Sequence, residues 1–139
     1  GKISDLICKY TRHNKIIMAK ILVIDDERSI RNTMKDILEF EKHKVTLAEN
    51  GKVGLEAAQN EYFDLIFSDI KMPEMTGIES LKEIRKLSKD IPVIMQSAYV
   101  FDSDMEAAKE AGASGFITKP INLKVLKNTI SQYCPSIVW

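Results

Sequence analysis

The sequence predicts an α/β fold: a doubly wound, five-stranded parallel sheet in the strand order 2-1-3-4-5. Three observations carry this reading. Apolar runs alternate with helix-period segments from Lys20 to Tyr133. Runs such as Ile21-Leu22-Val23-Ile24 are apolar at consecutive positions, as in strands buried on both faces. Five strands, each followed by a helix, require right-handed crossovers and helices on both faces.

The elements follow in order. Residues 1–17 differ from the rest and read as a dispensable extension ahead of Met18, although Ile3, Leu6, Ile7 and Tyr10 at helical spacing also allow a short helix. The main domain is placed at 18–135 and a tail at 136–139. After the first strand, Ile30, Met34, Ile37 and Leu38 share one helix face, with Asp26 or Ser29 available as the cap. Lys44-Val45-Thr46-Leu47 alternates polar and apolar, which suits an edge strand. A short helix spans 51–60, with Val53, Leu55, Ala57 and Ala58 as its apolar residues. A second buried strand covers 63–68, and Ile78, Leu81, Ile84 and Leu87 mark the next helix.

Residues 92–96 form the fourth strand. The helix at 102–111 offers only Met105 and alanines to the core, so little apolar area anchors it and it is the candidate movable element. A short strand at 115–118 and a helix through Leu123, Leu126, Ile130 and Tyr133 complete the chain, with Pro135 as the stop. The strands poorest in apolar residues are the second and fifth. Placing them at the edges gives the order 2-1-3-4-5, the flavodoxin-like order, with strands one and three adjacent.

Composition excludes several function classes. The 139 residues hold 20 basic and 20 acidic side chains, so the basic footprint of nucleic-acid binding is missing. Two cysteines, Cys8 and Cys134, are too few for a disulfide framework, which fits a reducing cytoplasm. No apolar run reaches membrane-spanning length.

Four strands end in polar side chains: Asp25-Asp26, Asp69, Ser97 and Lys119. Ligands of open α/β sheets bind at the carboxyl ends of the strands. Taken singly, each residue has an ordinary structural reading. The Asp25-Asp26 pair caps a helix, Asp69 and Ser97 belong to turns, and Lys119 is a solvated charge. Taken together they converge on one rim. Clustered carboxylates raise one another's pKa unless a cation is present. Two or three carboxylates suit Mg²⁺, which keeps several waters and takes few protein ligands. A carboxylate nucleophile, a metal, a hydroxyl and a lysine suit phosphoryl transfer to Asp69.

The ordered set of motifs resembles the response-regulator receiver domains of two-component signalling. The matching stretches are Ile21-Leu22-Val23-Ile24-Asp25-Asp26-Glu27, Asp69-Ile70-Lys71-Met72-Pro73 with Thr76-Gly77, Ser97-Ala98-Tyr99, and Gly112-Ala113-Ser114-Gly115-Phe116 leading to Lys119-Pro120. The resemblance implies a CheY-like (βα)₅ fold with Asp69 as phosphoacceptor. It implies Mg²⁺ at Asp25, Asp26, Asp69 and the backbone carbonyl of Lys71. Ser97 becomes the switch hydroxyl, Phe116 the switch aromatic, and Lys119 the partner of the phosphoryl group. Ser97 stands where threonine is commoner in the family, and Phe116 lacks a phenol oxygen. The resemblance further implies a cis Lys119-Pro120 bond.

The implied partners are a sensor histidine kinase, meeting a surface around Ile30 and Met34, and an output domain or partner protein, DNA-binding in a longer chain. A second copy meeting through the fourth helix, fifth strand and fifth helix is also implied. Direct nucleic-acid or membrane binding by this domain is not expected, and the chain is not expected to be an enzyme in the ordinary sense. An aspartate-nucleophile phosphatase of the haloacid-dehalogenase type shares the residue types but carries its nucleophile on the first strand. A flavodoxin-like cofactor binder fits poorly with an acidic rim that lacks a glycine-rich phosphate loop.

Overall fold

A computed structural model describes residues 19–98 and 102–134. The expectations for residues 1–17, Tyr99, Pro135 and the tail lie outside the described residues.

The uninterrupted apolar runs form the central strands. These are β1 (Lys20–Ile24), β3 (Leu65–Asp69) and β4 (Val93–Ser97), flanked at the edges by β2 (Lys44–Ala48) and β5 (Gly115–Thr118). All neighbours pair in parallel in the order β2-β1-β3-β4-β5. The five crossover helices are α1 (Arg28–Phe40), α2 (Gly51–Asn60), α3 (Gly77–Leu87), α4 (Asp102–Ala111) and α5 (Leu123–Tyr133). Successive side chains along a strand point to opposite faces, so each central strand feeds two cores. Leu22, Ile24, Ile66 and Val93 lie in one, with Leu81 and Ile84 of α3 and Ala108 of α4. Ile21, Val23, Leu65, Phe67 and Ile94 lie in the other, with Met34 and Leu38 of α1 and Leu126 and Ile130 of α5.

Local chemistry explains most helix starts. The Thr76 hydroxyl accepts from the Glu79 N–H to open α3, and Asn50 and Asn122 do the same for α2 and α5. The start of α1 corrects the sequence reading. Neither Asp26 nor Ser29 is its cap. Glu27 occupies that position without a side-chain cap bond, and its own N–H donates to the Asp25 carboxylate at 2.9 Å. Met34 is also corrected: it is buried against the sheet, so it contributes no surface for a kinase, and only Ile30 of that pair is partly exposed. Leu87, placed on an inner face by periodicity, ends α3 half-exposed.

Two strand boundaries move toward the site. The sequence placed the third and fourth strands at 63–68 and 92–96, yet Asp69 and Ser97 are themselves the last strand residues. The ladder carries on past them: the Ile70 N–H donates to the Gln96 carbonyl at 3.1 Å, and the Lys119 N–H to the Ser97 carbonyl at 2.9 Å. The buried residues of α2 are Gly51 and Gly54, and Val53, Leu55, Ala57 and Ala58 pack partly buried against the core, as the sequence suggested. A Cβ on Gly54 would collide with the Ile24 side chain, so glycine lets this short helix lie close on β1. As the sequence suggested, α4 is lightly anchored: Ala108 is its buried residue in the core. Arg85 of α3 secures the chain just beyond it, its Nε donating to the Gly112 carbonyl at 2.9 Å.

Candidate functional site

The pairing of β1 with β3 brings Asp25 and Asp26 beside Asp69. One carboxylate oxygen from each lies within 4.8 Å of the others. Asp25 is fully buried, Asp69 is 5% exposed and Asp26 faces solvent, so the cluster opens outward through Asp26. The turn after β3 is drawn tight beneath Asp69. The Gly77 N–H donates to the Ile70 carbonyl at 2.8 Å, and a Cβ on Gly77 would run into the Asp69 carbonyl oxygen.

Lys119 arrives from the end of β5, across the Ser97 backbone bond and a cis Lys119-Pro120 peptide. Its side chain is 8% exposed, and Nζ lies 2.8 Å from Asp25 Oδ2, 3.6 Å from Asp69 Oδ2 and 4.0 Å from Glu27 Oε1. Burial by itself would lower the pKa of this ammonium. The hydrogen bond to Asp25 and the charges of Asp69, Asp25 and Glu27 outweigh that and raise it, so Lys119 stays protonated. For Asp69 the balance is reversed. Burial, followed by the charge of Asp25, pushes its pKa up to about 7, against the opposing pull of Lys119. One ammonium does not neutralise three carboxylates.

This imbalance is the test of fit for a divalent cation, and the residues pass it. The donors are all hard oxygens, they already lie close together, one opens to solvent, and the raised Asp69 pKa marks a place short of positive charge. Asp25, Asp26 and Asp69 would hold Mg²⁺.

Of the other sequence-designated residues, Ser97 lies on the same rim, 6% exposed, joined to Lys119 through the backbone. Lys71 is two residues beyond Asp69, and its side chain pairs with Asp104 of α4 at 3.8 Å. Phe116 is not part of the charged cluster; it is partly buried against the core beneath α2, α3 and α4. Sequence reasoning assigned no role to Gln96, whose Nε2 donates to Asp25 Oδ2 at 3.2 Å, or to Glu27 and Gly77. The signal for Gln96 was present: an amide directly after the apolar run Val93-Ile94-Met95.

Residues 21–131 match the response regulator receiver domain family. The chain is 40% identical over 113 residues to the transcriptional regulatory protein ZraR of Klebsiella oxytoca, covering 81% of this chain and 25% of that protein. It is 32% identical over 116 residues to sporulation initiation phosphotransferase F of Bacillus subtilis, covering 84% and 94% of the two. Against the Vibrio cholerae chemotaxis protein CheY4 the TM-score is 0.80 at 36% identity, over 84% of this chain and 98% of that one. The chain therefore spans about a quarter of ZraR and most of the sporulation protein.

Proposed function

This chain belongs to the response regulator receiver domains of two-component signal transduction, and we propose that it is a switch worked by phosphorylation of Asp69. The observation that carries the reading is the convergence of three carboxylates and a protonated Lys119 on one rim, with Asp69 fixed at a strand end.

The donor is a phosphohistidine of a sensor histidine kinase, or a small acyl phosphate in vitro. Ionised Asp69 presents an oxygen to the phosphorus. The new P–O bond forms as the P–N bond to imidazole breaks, and the leaving imidazole takes up a proton. Asp25, Asp26, Asp69 and the Lys71 carbonyl would hold Mg²⁺, which would supply positive charge to the phosphoryl oxygens and keep Asp69 ionised. Lys119 pairs with another phosphoryl oxygen as a point charge. The Ser97 hydroxyl donates to a third, and this draws the end of β4 toward Asp69.

The readout runs through the surface of α4, β5 and α5. Phe116 turns inward behind Ser97, and α4, anchored by small side chains, moves with it. That surface meets a second copy, an output domain or a separate partner; a DNA-binding output in a longer chain fits the likeness to ZraR. The modified protein is itself the product, so the chain is a phosphoacceptor rather than an enzyme in the ordinary sense. The receiver unit is taken as 18–135. Among the described residues no helix is long and apolar enough to cross a membrane, and the proposed setting is the cytoplasm.

The test is intact mass after incubation with acetyl phosphate. A gain of one phosphoryl group that needs Mg²⁺, is blocked by EDTA and is lost in Asp69→Asn supports the proposal. Persistent labelling of Asp69→Asn would sink it.

A further inference from the structure

Gln96 is the penultimate residue of β4 and is fully buried. Its Nε2 donates to Asp25 Oδ2 at 3.2 Å, the same oxygen that takes Lys119 Nζ at 2.8 Å. Asp25 Oδ1 accepts the Glu27 N–H at 2.9 Å. The other end of the amide has no such match: Gln96 Oε1 finds no hydrogen-bond partner among the described residues. A buried carbonyl oxygen left unpaired disfavours the fold. The adjoining Val93, Ile94 and Met95 show that this strand packs well with apolar side chains. The amide thus occupies its place at some loss of stability, and what it provides in return is the bond to Asp25.

That bond matters because Lys119 serves two carboxylates. Its Nζ lies nearer Asp25 than Asp69, at 2.8 against 3.6 Å. Pairing with a phosphoryl group on Asp69 draws it away from Asp25. A fully buried carboxylate oxygen left without a donor is free to swing out of the cluster. We propose that Gln96 is a positioning residue: its amide N–H holds Asp25 in the cluster while Lys119 moves to the phosphoryl group, so the acidic site keeps its shape in both states. The two-state part rests on the phosphorylation reading above; the hold on Asp25 does not.

The test uses the full chain and the variant Gln96→Met, close in volume but without a donor. Unfolding in urea should show it at least as stable as the wild type, since the unpaired carbonyl is gone. In metal-free protein the Glu27 amide proton should shift as Asp25 loosens. Mg²⁺ alone should bind about tenfold more weakly, as expected for a lost hydrogen bond to a charged group. A Glu27 amide shift unchanged from the wild type, with a Mg²⁺ affinity within about twofold of it, would overturn the proposal.

A measurement on the wild type guards against a variant that does not fold. The Gln96 side-chain amide protons should stay shifted and slow to exchange before and after acetyl phosphate treatment. Their reversion to free-amide values on phosphorylation would refute the two-state role. If the wild type neither binds Mg²⁺ nor gains a phosphoryl group, the proposed function falls and the two-state role with it. The Glu27 signal then still decides whether Gln96 holds Asp25.

Discussion

Replacing Asp69 with asparagine should stabilise the metal-free protein, and the gain should grow with pH. Folding lifts the Asp69 pKa from 3.8 to about 7. Below pH 3.8 the carboxyl is neutral in both states and carries no penalty. As pH rises from there, the unfolded chain releases the proton first, and the folded protein loses stability until pH 7, above which the loss is constant. Three pKa units correspond to a ceiling of roughly 4 kcal/mol. Closer approach of Lys119 to Asp69 and entry of water into the open side of the cluster offset part of it. About 2 kcal/mol at pH 8, and under about 1 kcal/mol at pH 5, is the expected gain for Asp69→Asn. Urea unfolding of both proteins in EDTA, from pH 5 to pH 8.5, measures it directly. Mg²⁺ should then erase most of the difference by stabilising the wild type. A variant equal to or weaker than the wild type at pH 8, or a gain that does not vary with pH, would refute the electrostatic account.

Four further outcomes are expected. Gly77→Ala should lose about 2–4 kcal/mol of stability and weaken Mg²⁺ binding, because its Cβ collides with the Asp69 carbonyl; urea unfolding and a Mg²⁺ titration check both. Lys119→Met should cost roughly 3 kcal/mol without metal, since two buried carboxylates lose their shared cation, and Mg²⁺ should restore much of it in thermal unfolding. Arg85→Met should cost about 2–3 kcal/mol in the same assay, as the guanidinium donates to the carbonyls of Gly112, Ser88 and Ile91. His43 accepts the Ala19 N–H at Nδ1, and burial lowers its pKa from 6.5. Its contribution is therefore full above pH 6.5 and lost as pH falls through the folded value, so His43→Gln should flatten the acid limb of the stability profile below pH 6.5.

The alternation of apolar runs with helix-period segments was enough to order the sheet, because strands buried on both faces must be apolar at every position and edge strands need not be. For the same reason Asp25, Asp26, Asp69, Ser97 and Lys119 were legible as a set: a polar side chain that ends an apolar run lies at the sheet rim. Other features depend on contacts between segments far apart in the chain. Gln96 meets Asp25 across 71 positions, and nothing in either neighbourhood names the other. The close seating of Gly54 on Ile24 and the fit of Gly77 under Asp69 follow from how closely backbones approach. Asp26, a cap by local pattern, lies instead with Asp25 in the cluster that β1 and β3 create by lying side by side, and α1 opens at Glu27. Local pattern determined which segments pair and which faces they bury, whereas the balance of charge around Asp69 exists only once distant carboxylates and one lysine share a buried space.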